Sequence, residues 1–91
     1  MPVDRSLDET IVFEVPFLSR AESLRERLRR RWQVGVYESE DVVLVAAELR
    51  PGEDDLAVLL RAVELWLEDS DVGVLRFHLD ARAYVLDSGL K

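Results

Sequence analysis

Six consecutive apolar residues, Val42-Val43-Leu44-Val45-Ala46-Ala47, lie near the middle of a 91-residue chain. They open a β-type run from Val42 to Leu49, and a strand that is apolar on both faces belongs in the middle of a sheet with protein against each face. This run therefore predicts that the rest of the chain builds further strands beside it and helices over it.

The segment before it supplies the first neighbour. Trp32 to Tyr37 alternates, with Trp32, Val34 and Val36 on one side, and Glu38-Ser39-Glu40-Asp41 is a short polar turn, so the two runs read as a hairpin. From Thr10 to Phe17 a second alternation puts Ile11, Phe13, Val15 and Phe17 on one face and Val12, Glu14 and Pro16 on the other. Between these strands Ala21, Leu24 and Leu28 recur at helical spacing. Ser19 followed by Glu22 matches a capping box, which predicts a helix over about Arg20–Arg31. Its last turn carries Arg29, Arg30 and Arg31, where positive charge complements the helix dipole.

Arg50-Pro51-Gly52 ends the apolar strand, and Glu53-Asp54-Asp55 offers a cap and negative charge for a second helix. Leu56, Leu59, Leu60, Val63 and Leu67 make its core stripe, but Val58, Ala62, Leu65 and Trp66 widen it beyond one face. Glu68-Asp69-Ser70-Asp71 ends it with acidic residues, which is electrostatically unfavourable at a helix C-terminus. From Val72 to Leu86 a period of two runs on through Asp80. Either one long strand is present or a turn or bulge at Asp80-Ala81 divides it into two. A long strand would project beyond a small domain and could pair with another subunit.

This organisation predicts one domain over residues 10–88, with a loose polar arm at 1–9 and a tail at 89–91. A chain of this length buries roughly 60–65% of its unfolded surface, enough for one modest core and too little for a deep substrate-enclosing cavity. The order β-α-β-β-α-β resembles the ferredoxin-like split β-α-β plait over about residues 10–80. That resemblance implies an α+β sandwich with an antiparallel sheet and two helices on one face, to which the period of two over residues 72–86 adds an extended or extra C-terminal strand. It is a likeness of architecture, and this architecture hosts many unrelated functions.

Charge and composition narrow those functions. No Cys is present, which excludes disulfides, a thiol nucleophile, thiolate zinc sites and the Cys-x-x-Cys loop of metal-carrying domains of this shape. The net charge is −7, yet residues 20–31 hold six Arg and two Glu, so one +4 helix stands against −11 elsewhere. Overall acidity and a third strand without aromatics argue against an RNA- or DNA-binding sheet. Pro16-Phe17-Leu18-Ser19 lacks the Gly-rich anion loop that acylphosphatase-like enzymes place after the first strand. No basic-plus-apolar leader and no run of 18 apolar residues occurs, so a cytoplasmic protein without membrane contact is expected.

Three sets of residues are candidates for function. His78 is the single His, and the alternation places it with Arg76, Asp80, Arg82 and Tyr84. Glu14 on the first strand could reach it across the sheet and orient it as a general base. No Ser or Thr nucleophile accompanies it, so a charge-paired sheet face is the favoured reading. Glu14, Glu48 and His78 offer metal-ligand chemistry in geometry only, and no metal or cofactor is expected. Arg20, Arg27 and Arg31 form a stripe without acidic partners in their own helix, suited to an anion or an acidic surface. Val12, Leu44, Ala46 and Val74 are apolar residues on the face that a single-layer plait leaves open, and Trp66 is surplus apolar surface on the second helix.

The expectation that follows is a small, non-enzymatic interaction or regulatory module. It would form a homodimer through the open sheet face or the terminal strand. The alternative is a sensor similar to the ACT modules, which share this element order and bind a small molecule at a subunit interface. An enzyme using His78 as acid/base is third.

Overall fold

The computed structural model describes residues 10–49, 55–70, 72–79 and 81–87. The elements are β1 (Thr10–Val15), α1 (Leu18–Leu28), β2 (Gln33–Glu38), β3 (Val43–Glu48), α2 (Asp55–Asp69), β4 (Val74–Leu79) and β5 (Arg82–Asp87). They make an α+β fold with one five-stranded antiparallel sheet in the order β2-β3-β1-β4-β5. The predicted arm at 1–9, the tail at 89–91, Glu53, Asp54 and Asp80 lie outside the described residues.

The alternation in the strands becomes the two faces of this sheet. Ile11, Phe13 and Val15 of β1, Val43, Val45 and Ala47 of β3, and Leu75 and Phe77 of β4 are buried in one core. Into the same core α1 sends Ala21, Leu24 and Leu28, and α2 sends Leu59, Val63, Trp66 and Leu67. Both helices therefore cover one face, and Leu44 and Ala46 on the other face of β3 are only half-buried. The two-sided apolarity of β3 is met by helices on one side only.

Phe17, expected on the buried face of β1, is 64% exposed because β1 ends at Val15 and Phe17 becomes the N-cap of α1. The expected capping box does not form. With only Pro16 and Phe17 between strand and helix, the first turn closes through Ala21 N–H to Phe17 O at 3.0 Å, leaving Ser19 inside the helix. At the other end α1 stops at Leu28, not Arg31. Leu28 O accepts from Arg31 and Trp32 N–H, each at 3.1 Å, a tight turn that drives the Trp32 side chain into the core ahead of β2.

Trp32 also ties this corner to α2, because its indole Nε1–H donates to Asp55 Oδ2 at 2.8 Å in the first turn of α2. Trp32 is 5% exposed. Removing the acceptor would leave a buried donor unpaired, so Asp55→Ala is expected to cost about 1–3 kcal/mol in urea denaturation, with the native fold retained.

Most of the extra width of the α2 stripe is used within the chain, Leu65 alone of the widening residues staying exposed at 39%. Leu56, Val58, Leu60 and Ala62 pack against the core edge, and Trp66, assigned from sequence to an intermolecular surface, is 3% exposed between α1 and α2. Its Nε1–H donates to Ser23 Oγ at 3.0 Å. The acidic C-terminus of α2 has its own compensation, since Arg27 of α1 reaches Asp69 at 3.3 Å. Ser70 follows, with its Oγ donating to Leu67 O and accepting from Val72 N–H.

The segment from Val72 to Leu86 is two strands. Leu79 pairs with Arg82 across a two-residue connection, and Ala81 takes φ 66°, the left-handed backbone that tight hairpins require. Opposed residues share a face, so odd-numbered Leu79 shares one with even-numbered Arg82, and the parity reverses at the turn. Arg82 and Tyr84 therefore lie on the helix side, away from Arg76 and His78. Tyr84 stacks on Phe77 with ring centroids 5.3 Å apart.

Candidate functional site: the open face of the sheet

The strand registers build this face as two rows of side chains. One row runs Tyr37, Leu44, Glu14, Arg76 and Val85 from β2 to β5, and the next runs Gly35, Ala46, Val12, His78 and Ala83. The β2–β3 side of the rows is apolar, the β1–β4 seam is charged, and β5 returns to apolar residues.

Within the charged seam, Glu14 stands opposite Arg76 in register, but its hydrogen bond runs diagonally to His78, with Nε2 donating to Glu14 Oε2 at 2.5 Å. The side chains of His78 and Glu14 are 43% and 26% exposed. The pair orients an imidazole, which is one half of acid/base chemistry. Neither row brings a Ser or Thr hydroxyl beside it, so the arrangement holds a proton-carrying ring without a nucleophile for it to activate. Glu48 is paired with Thr10, four residues along β3 from Leu44 and so roughly 13 Å from the Glu14 pair. The trio of Glu14, Glu48 and His78 is thus not brought together, and among the described residues no group of three or more acidic or His side chains is arranged around a metal-sized space.

Of the expected interface residues, Val12, Leu44 and Ala46 are adjacent and half-buried in the single chain. Val74 is 52% exposed on the same face but stands opposite Asp87 at the start of β4, apart from that patch. Trp66 is on the other side of the sheet. The structure adds Tyr37 (59% exposed) and Val85 (66%) at the two ends of the first row. Tyr37 lies back over Gly35: a Cβ at that glycine would come within 2.7 Å of the Tyr37 hydroxyl oxygen, so Gly35 lets the ring lie flat against the sheet. A glycine two residues before a tyrosine in an edge strand was the available sign of this. Val85 was hidden by the reversal of parity at Ala81.

The arginine stripe separates into different environments. Arg27 is paired with Asp69, and the Arg31 guanidinium sits 5.3 Å from the Trp32 ring centroid, beyond the end of the helix. Arg20 lines a groove between α1 and α2 together with Ser23 and Arg27. Arg29 pairs with Glu26 one turn earlier at 3.2 Å, as its spacing predicts. Among the described residues no helix is long and apolar enough to cross a membrane. Neither protein-family models, nor curated proteins, nor solved structures give a significant match to this chain, so its function is argued from these residues alone.

Proposed function

We propose that this chain is a small non-enzymatic interaction or regulatory module that forms a homodimer by burying the open face of its sheet against a second copy. The strand order β2-β3-β1-β4, with both helices contributing to one core, supports a ferredoxin-like plait to which β5 adds an edge strand. Such a plait leaves one sheet face without a layer of its own.

The observation that carries the reading is the apolar β2–β3 side of that bare face, where Val12, Leu44 and Ala46 adjoin the exposed Tyr37, with the exposed Val85 across the charged seam at the far end of the row. Five strands about 4.8 Å apart and six residues of about 3.3 Å each give a face of roughly 24 by 20 Å. Side-chain relief raises its accessible area towards the roughly 800 Å² per partner of a standard interface. A second copy suits its charge as well. Each chain carries −7 overall, but in the two central rows Glu14 and Arg76 balance one another, which confines the excess acid of this face to Glu48 and Asp87 at its ends.

Light scattering coupled to size exclusion tests the dimer. The expected mass is twice the 10.5 kDa of the chain at micromolar concentration, and one monomer mass over the whole concentration range would overturn the proposal.

A second reading is favoured by the Glu14–His78 pair and Arg76, which place polar anchors beside the apolar patch. It is a small-molecule sensor similar to the ACT modules, with its ligand held between subunits. A thermal-shift screen of amino acids and nucleotides would support it through a ligand-dependent rise in Tm. His78→Ala is expected to change stability by no more than about 1 kcal/mol, because its hydrogen bond to Glu14 is partly solvated, and to leave any cellular phenotype intact. Loss of that phenotype in a still-folded protein would instead favour the third reading, an enzyme using His78.

A further inference from the structure

We propose that the groove between α1 and α2 binds the phosphate group of a small ligand through Ser23, Arg27 and Arg30. Two adjoining cavities, of about 410 and 380 Å³, share Ser23, Arg27 and Trp66 in their walls; Arg20 lines the first and Arg30 the second. Ser23, Arg27 and Arg30 follow one another at i, i+4 and i+7, which places them along one side of α1 and its following turn.

What distinguishes the groove from a solvated basic face is that α2 fixes its donors. Trp66 Nε1–H occupies a lone pair of Ser23 Oγ at 3.0 Å, so the hydroxyl proton of Ser23 remains to be donated. Asp69 holds Arg27 by one nitrogen at 3.3 Å, which steadies the guanidinium while its other N–H groups stay available. Arg30 has no ion-pair partner among the described residues. The two carboxylates in the groove walls, Asp69 and Glu26, are each engaged by an arginine, Arg27 and Arg29. A held hydroxyl, a held guanidinium and a second guanidinium one turn away suit the several acceptor oxygens of a tetrahedral phosphate. Trp66 is 3% exposed and offers no stacking surface to a nucleic acid base. This site is independent of the proposed dimer face, which lies on the other side of the sheet.

The two tryptophans give the test its reporters. In the full-length ¹⁵N-labelled chain, the Trp66 indole N–H signal reads the groove, and that of Trp32, bonded to Asp55, is the internal control. Inorganic phosphate, glycerol phosphate and hexaglutamate would be titrated separately at constant pH and ionic strength. The expected result is a saturable shift of the Trp66 signal with phosphate or its ester, a stationary Trp32 signal, and at least about tenfold weaker binding in Arg30→Gln. Saturation by inorganic phosphate alone assigns the free anion, and tighter binding of glycerol phosphate assigns an ester. Equal movement of both indoles, a shift that does not saturate, a response to hexaglutamate only, or undiminished binding in both Arg30→Gln and Arg27→Gln would overturn the proposal. Arg30→Gln changes an exposed side chain, and an unmoved Trp32 signal in that variant establishes that its fold is intact.

Discussion

Phe13→Ala is expected to lower stability by about 3–5 kcal/mol, the range for truncating a buried aromatic residue when its surroundings collapse only in part. Phe13 is fully buried at the centre of β1, itself the middle strand, between Val45 on β3 and Phe77 on β4. Its ring lies 5.6 Å from that of Phe77, which in turn stacks on Tyr84 of β5, so one truncation loosens a row of rings reaching the edge of the sheet. A domain of this size has a total stability on the order of 5–14 kcal/mol. With an unfolding entropy of about 2.1 cal/mol/K per residue, the loss corresponds to a fall in Tm of roughly 15–25 °C, readable by circular dichroism. Phe13→Leu should cost much less, about 1.5 kcal/mol, because most of the volume is kept. A variant Phe13→Ala melting within a few degrees of the parent would mean that this ring is not at the core's centre.

Leu44→Glu is expected to leave a folded monomer where the parent is a dimer. Leu44 is half-buried in the free chain, so the substitution disturbs little of the core. It does stand directly opposite Glu14, and the like-charge pair costs the monomer up to about 1 kcal/mol. The dimer loses far more, because a two-fold interface contains every substitution twice. Two carboxylates buried without partners, at about 2 kcal/mol or more each, weaken association by on the order of a thousandfold. Ala46→Glu gives a second reading without the repulsion, since Ala46 faces Val12 and Gly35. If both variants keep the dimer mass in light scattering while remaining folded, the interface lies elsewhere, and the exposed edge of β5 becomes the surface to examine.

Much of the architecture was readable along the chain. The alternations in β1, β2 and β3 and the stripe Ala21, Leu24, Leu28 identify the residues that line the core, because burying one face of a strand or helix leaves its period in the sequence. The ends of the elements were less readable. Ser19 and Glu22 have the spacing of a capping box, yet the two-residue link after β1 starts the helix earlier, and a constraint from the connection overrides a local capping preference. Trp66 carries the hydrophobicity of a surface for a partner; that its partner is Ser23, 43 residues away in the same chain, depends on how two helices lie over one sheet.

The candidate site divides in the same way. Sequence by itself determined the element order as far as the second helix, the acidic chain with one basic helix, the absence of thiol chemistry and the apolar character of Val12, Leu44 and Ala46. These follow from composition and short-range periodicity, which every window of the chain carries. Only the tertiary structure decided that Glu14 meets His78 on the diagonal, that Tyr37 and Val85 close the ends of the open face, and that Arg27 is tied to Asp69. Each of these depends on a register or a crossing between segments far apart in the chain. A single two-residue turn at Ala81 is enough to move every later side chain to the opposite face, because the period of a strand is two.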